Sequence, residues 1–193
     1  MLQSLYDRFI ALSQSRRAPY ALAAVAFAES SFFPIPPDIM LIPMALAEPA
    51  KAWRFALIAT LSSVAGGLLG YAIGALLYDT LGQWLLHAYG YGAKFDQFRE
   101  WYQQYGAAVI LIKGLLPIPY KLVTIASGVA GYNLVWFVIL SLITRGARFF
   151  IEAGIFNRWG GTLGPLIRQN VTAVTVGSLV LIVGGFYLAA KFA

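Results

Sequence analysis

The chain has no cysteine, one histidine and little charge: of 193 residues, 14 are Lys or Arg and 8 are Asp or Glu, 11% together. Soluble domains carry about 25% charged residues, so this balance excludes an ordinary soluble fold. Without cysteine there is neither a disulfide nor a thiolate metal site, and His87 alone builds no HExxH motif or histidine cluster. No metal, redox centre or cofactor is expected. The net charge of +6 is no nucleic-acid footprint, because the cations are dispersed through apolar sequence and not gathered on one face; no nucleic-acid partner is expected. Residues 1–20, MLQSLYDRFIALSQSRRAPY, also lack the charged, apolar and small-residue succession of a cleaved signal peptide, so Met1 is expected to be retained.

What is abundant is apolar sequence, 60% of the chain. Runs at 20–47, 53–78, 105–142 and 171–190 each meet the ~20-residue requirement for crossing hydrocarbon. We expect an all-α, polytopic membrane protein forming a single integral membrane domain over residues 1–193. Leu2, Leu5, Tyr6, Phe9 and Leu12 lie at helical spacing opposite Asp7 and Arg8, a stripe suited to a membrane surface. Tyr91, Phe95, Phe98, Tyr102 and Tyr105 form a second such stripe, aromatic and therefore interfacial, the alternative being an ordinary loop helix packed on the protein. Gly66, Gly70 and Gly74, four residues apart in 55–78, put small residues on one helical face and imply a close helix neighbour. Residues 134–157 are a second span and 171–190 a third, free of charge and proline.

Shifting the chain by 83 positions lays FPIPPDIMLIPMALA (33–47) over LPIPYKLVTIASGVA (116–130). Pro34, Ile35, Pro36, Ile42 and Ala47 fall on Pro117, Ile118, Pro119, Ile125 and Ala130, and Trp53 falls on Trp136. Each half continues in the same order, surface helix, proline-broken apolar segment, tryptophan and span, so we read a duplication, with repeat one at about 1–80, repeat two at about 81–165 and a C-terminal span at about 170–191. Proline lacks an N–H and clashes with the preceding turn, so no helix runs straight through Pro34–Pro37 or Pro117–Pro119. In lipid the freed backbone groups need protein or a watery cavity around them. That favours re-entrant hairpins turning at Pro34, Pro36, Pro117 and Pro119, a kinked full span being the alternative. The arms 20–33 and 38–47 reach only roughly 21 and 15 Å, too short to cross alone.

Hairpins that return to their own side leave one crossing per repeat, so the second repeat is inverted. Arg8, Arg16, Arg17, Lys51, Arg54, Arg158 and Arg168 then share one side against Lys94, Arg99 and Lys191 on the other. By the positive-inside rule the N-terminus is cytoplasmic. Inverted repeats with broken helices meeting near the midplane are a plan of secondary transporters.

Glu29 and Asp38 flank the first Pro-Ile-Pro, Lys113 and Lys121 flank the second, and Arg145, Arg148 and Glu152 lie in the span that follows. Each charge at the bilayer centre costs about 2.5 kcal/mol or more, so seven require partners, water or a function. The register superposes Asp38 on Lys121, and we expect those two to face each other. The carboxylates Glu29, Asp38 and Glu152 are candidate proton acceptors, since burial and a neighbouring cation act on a carboxyl in opposite senses. Arg145 and Arg148 are candidates for holding a phosphate, whose oxygens match guanidinium donors, with Lys113 and Lys121 as further cations. The bland reading makes all seven structural salt bridges between the halves.

FAESSFFPIPPD (27–38), KGLLPIPYKLVTIASGVAG and the downstream RGARFF resemble the DedA membrane proteins, also called the SNARE-associated or VTT-domain family, and within it the YqaA-like branch. The resemblance covers roughly residues 20–160. It implies a half-transporter-like protein of the bacterial inner membrane, with two inward hairpins, that flips a polyprenyl phosphate such as undecaprenyl phosphate, or a phospholipid, in proton-dependent fashion. It also implies that Glu29 and Asp38 are the family's acidic positions, and that Lys113 and Lys121 stand where its motif carries arginines. Lysine keeps the charge but loses the bidentate geometry.

An intramembrane enzyme is the rival of another class. IASG (125–128) is faintly similar to a rhomboid serine context and Tyr78-Asp79 to half of an aspartyl-protease signature, yet Ser127 has only His87 as a base and no second aspartate stands in GxGD. No enzyme is expected. The expected partners are an anionic lipid phosphate and protons, self-association being left open; a non-transporting scaffold with structural charges is the alternative.

Overall fold

The structure, a computed structural model, describes residue 15 and residues 17–33, 36–82, 92–115 and 120–169, and every regular element among them is helical. The expected N-terminal surface helix, His87, the C-terminal span and the turn prolines Pro34, Pro117 and Pro119 lie outside the described residues, as does the side chain of Lys113.

The prolines set the first boundaries. Helix α1 (Ala18–Ser31) has Pro19 in its first turn, where a missing N–H costs nothing, and stops short of Pro34 with the Phe32 and Phe33 amides both donating to the Ala28 carbonyl at 2.9 and 2.8 Å. Helix α2 (Asp38–Ala47) starts behind Pro37 and carries Pro43 inside it, buried. After a 3₁₀ turn (Pro49–Lys51) comes α3 (Ala52–Leu77), 26 residues and so about 39 Å long, ending in a π turn at Tyr78–Gly82. The second half contains α4 (Gly92–Leu115), α5 (Tyr120–Val129) and α6 (Leu134–Gln169). Gly131, at φ +63°, closes α5 in the left-handed conformation that ends helices, and Asn133 Oδ1 accepts the Trp136 amide at 3.1 Å to open α6.

Pro49–Thr80 and Leu134–Gly160 are long and apolar enough to cross a membrane. They are antiparallel. Trp53 meets Phe150 and Gly154 near one end, Ser63 meets Arg145 half-way, and Tyr71 meets Phe137 toward the other end. Leu57, Leu61, Leu68 and Leu76 on α3, and Ile139, Ile143, Ile151 and Ile155 on α6, are left exposed, as lipid-facing ridges require. Exposed Trp53 and Trp159 mark one end of the pair and Trp136 the other, in the manner of aromatic belts.

The shorter helices pack against this pair. Ala18, Leu22 and Ala26 of α1 share one buried cluster with Leu41, Met44 and Ala45 of α2 and with Ala52, Phe55, Ala56 and Ala59 in the first half of α3. Both arms thus flank the same half of α3, and the chain reverses between them. Helix α1 rests on α3, while α2 reaches across to α6; in the second half α4 rests on α6, while α5 reaches across to α3.

The glycine face of α3 makes these approaches close. A Cβ on Gly66 would lie 2.0 Å from the Phe27 carbonyl oxygen of α1, and one on Gly74 would lie 2.1 Å from the Ile125 carbonyl oxygen of α5. The close neighbour expected from glycine spacing is therefore two neighbours, one from each half. Of the aromatic stripe, Phe95, Phe98, Tyr102 and Tyr105 lie in the first part of α4, and Tyr102 takes the alternative of a helix packed on the protein. Tyr102 is buried and bonds Ser127 Oγ at 2.8 Å, because its ring fills the gap between α4 and α5, while Trp101 and Tyr105 stay exposed.

Candidate functional site

Two arginines on α6 and two carboxylates on the first half of the chain meet beside the middle of α3. Arg145 Nη2 donates to Glu29 Oε2 at 2.8 Å, and Arg148 Nη2 pairs with Asp38 Oδ2. The two pairs have different surroundings. The Arg145 and Glu29 side chains are 2% and 11% exposed, those of Arg148 and Asp38 24% and 23%.

The Arg145 pair is closed on all sides. Arg145 Nε donates to Ser63 Oγ at 2.7 Å; Ser63 and Ser30 hydroxyls bond at 2.6 Å; Ser30 Oγ donates to Glu29 Oε2 at 3.2 Å. Since the Ser30 proton is directed to the carboxylate, Ser63 is the donor to Ser30, and one continuous ring joins α6, α3 and α1. The second carboxylate oxygen, Glu29 Oε1, accepts the Tyr120 amide at 3.4 Å, which adds α5. The guanidinium lies between the rings of Tyr120 and Phe149, 5.0 and 4.6 Å from their centroids. Next to it Thr124 Oγ1 donates to the Ser30 carbonyl at 3.0 Å, over Gly70. The end of α1 and the start of α5 therefore touch at the ion pair.

The Arg148 pair is incomplete. Asp38 Oδ1 is buried and receives no N–H or hydroxyl donor among the described residues. Glu152, one turn beyond Arg148, stands beside Asp38, so three carboxylates share the neighbourhood of two guanidinium groups. This departs from the expected pairing of Asp38 with Lys121. Asp38 takes its cation from α6, because α2 packs on α6 and not on α5; Lys121 is half-buried and forms no ion pair among the described residues. Pro36, at the turn before α2, is exposed. Ser127, the residue of the protease-like IASG, bonds Tyr102 and donates to the Val123 carbonyl at 2.8 Å, a packing arrangement between α4 and α5.

Ser30, Ser63, Tyr120 and Phe149 were not singled out by sequence reasoning. Ser63 has one signal, a hydroxyl on the same apolar helix as the Gly66-Gly70-Gly74 face, one turn before it.

The profile of the VTT domain matches residues 35–158, from the turn before α2 to Arg158 of α6. The chain belongs to the VTT-domain family. An uncharacterized protein of Haemophilus influenzae is 36% identical over 186 residues, 96% of each chain, and a further uncharacterized protein of Histophilus somni is 34% identical over 188 residues, 97% of each chain. No solved structure matches. This VTT-domain protein is thus a transporter-like membrane protein, and the match takes in Asp38, Lys121, both arginines and Glu152 while beginning six residues after Glu29.

Proposed function

We propose that this VTT-domain protein moves a phosphate-bearing lipid, a polyprenyl phosphate such as undecaprenyl phosphate or a phospholipid, across the bacterial inner membrane, with protonation among Glu29, Asp38 and Glu152 coupled to the movement. The observation that carries the reading is the placement of the charges. Two arginines lie half-way along an apolar pair of spans, beside a partly open carboxylate whose second oxygen receives no N–H or hydroxyl donor among the described residues. A guanidinium offers several donors to phosphate oxygens, and exposed Phe32, Phe33 and Ile39 border the same turn, as an acyl or prenyl chain would require.

The reversal between α1 and α2, and the crossed packing of α2 on α6 and α5 on α3, support reading the halves as inverted repeats with re-entrant hairpins. Arg17, Lys51, Arg54 and Arg158 gather at the Trp53 end of the spans, while Asp79, Asp96 and Glu100 belong to the other. This favours a cytoplasmic N-terminal end. Because the chain has no cysteine, single cysteines report topology cleanly. Glu48→Cys should react with an impermeant maleimide from the cytoplasmic side and Gly92→Cys from outside; reaction of both from one side would refute the hairpins.

Translocation is tested in liposomes. Purified protein should move a fluorescent polyprenyl phosphate or phospholipid between leaflets faster than empty vesicles do, with a rate that responds to a pH gradient. Rates equal to those of empty vesicles, with and without the gradient, would sink the proposal. The closed ring around Arg145 favours a second reading for that pair alone, a structural weld, and the scaffold alternative extends it to every charge.

A further inference from the structure

The two ion pairs differ in a way that divides their labour. Arg145 and Glu29 are the more heavily engaged pair: the guanidinium has a carboxylate, a serine and two aromatic faces, and the carboxylate has a guanidinium, a serine and a backbone amide. With the Arg145 side chain only 2% exposed, an incoming anion reaches it only by disturbing contacts from four helices. Arg148 has one carboxylate oxygen as its described partner, and both side chains of its pair are about a quarter open, at 24% and 23%. Asp38 is held to Arg148 by one oxygen, while its other oxygen is buried beside Glu152 and receives no N–H or hydroxyl donor among the described residues. It sits at the first residue of α2, just behind a proline turn, so it is carried by the least constrained part of its helix.

Resting on the phosphate-lipid reading above, we infer that Arg148 is the cation of an anion-binding site and that Asp38 is its internal occupant, a carboxylate that fills the position of the ligand's phosphate and must be displaced for the ligand to bind. A purely structural pair would be expected to place a donor on both oxygens, since a buried polar atom without one is destabilising. Here the carboxylate satisfies one, which is what an exchangeable occupant requires: enough attraction to neutralise Arg148 when the site is empty, not enough to exclude a phosphate monoester. The ligand class follows from the cation at Arg148 and from what flanks its partner Asp38 in the chain, exposed Ile39 beside it and exposed Phe32 and Phe33 before the proline turn. It is a phosphate monoester carrying a hydrocarbon chain, with free phosphate as the headgroup-only version of the same chemistry.

An internal competitor makes an unusual prediction. Removing Asp38's charge should tighten ligand binding, because the fraction of protein with Arg148 free rises. Purified full-length protein in detergent would be titrated at one pH with farnesyl phosphate, inorganic phosphate and farnesol. Wild type should bind farnesyl phosphate and neither of the others comparably. Asp38→Asn should bind it about fivefold or more tighter, and Arg148→Gln roughly tenfold or more weaker. Glu48→Gln, which breaks only the exposed pair with Lys51, should bind as wild type does, and thermal melting checks that each variant is folded. Binding of farnesyl phosphate that shifts less than twofold in both Asp38→Asn and Arg148→Gln would overturn the inference while leaving the phosphate-lipid reading standing. Inorganic phosphate bound equally well, with the same response to both variants, would uphold the exchange and overturn the lipid. No binding of any probe by wild type would overturn both.

Discussion

Arg145→Met is expected to leave little folded protein, while Arg145→Met combined with Glu29→Met is expected to recover most of it. Removing one partner of a buried pair strands the other charge and costs about 3–5 kcal/mol, whereas replacing the whole pair by apolar residues is often neutral or stabilising. The penalty here is at the upper end because Glu29 would be left with only Ser30 and the Tyr120 amide, at 3.2 and 3.4 Å, inside an apolar span. Glu29→Gln should be milder than Arg145→Met, since the amide oxygen still accepts from Arg145. Melting of detergent-solubilised protein, followed by monodispersity, gives the readout; Arg145→Met as stable as wild type would show that the ring does not hold the helices together. The same set separates the two readings of the pair. If Glu29→Gln and the double variant keep wild-type abundance and translocate lipid at wild-type rates, the pair is a weld; abundance kept with translocation lost makes Glu29 part of the proton path.

The division between α1 and α2 was legible because Pro34, Pro36 and Pro37 permit no other outcome, and the helix boundaries at Ser31 and Asp38 follow from them. The glycine face of α3 was legible for a similar reason: glycines spaced by four on an apolar helix leave a groove that only a close neighbour can fill. The five charges of the site, Glu29, Asp38, Arg145, Arg148 and Glu152, were legible as outliers in hydrocarbon. Their partners were not. Superposing Asp38 on Lys121 identifies equivalent positions in two segments of the sequence, but equivalence is not contact: α2 packs across on α6, whereas α5 packs across on α3. Asp38 therefore meets Arg148. Ser63 and Tyr120 escaped notice because a serine or tyrosine in an apolar run carries no cost that demands explanation; only the guanidinium beside them does. The aromatic stripe of Phe95, Phe98, Tyr102 and Tyr105 left an interfacial and a packed reading open, and α4 packs Tyr102 against α5 while Tyr105 stays exposed.

Gly128→Ala should disrupt the protein far more than Gly67→Ala, although both add one methyl group to a buried glycine. At Gly67 the new Cβ would meet Thr124 Cγ2 at 3.4 Å and Phe137 Cζ at 3.5 Å, ordinary contacts between side-chain atoms. At Gly128 it would lie 2.0 Å from the Tyr71 carbonyl oxygen and 2.9 Å from the Ala75 amide nitrogen. Backbone has no rotamer by which to yield, so α5 must move away from α3 as a body. Overpacking a core costs about 1–3 kcal/mol where side chains adjust, and this case exceeds that range. Moving α5 also lengthens the Tyr120 contact to Glu29 and the Thr124 contact to Ser30, so the damage reaches the ion-pair ring from a site that touches none of its charges. Gly67→Ala should melt within a few degrees of wild type and Gly128→Ala should be poorly folded; the reverse order would place the close approach of α5 elsewhere. The charges are thus held by a steric device, glycine against backbone at two crossings on one helix, and the ring of Glu29, Ser30, Ser63 and Arg145 closes only because both halves can come that near to α3.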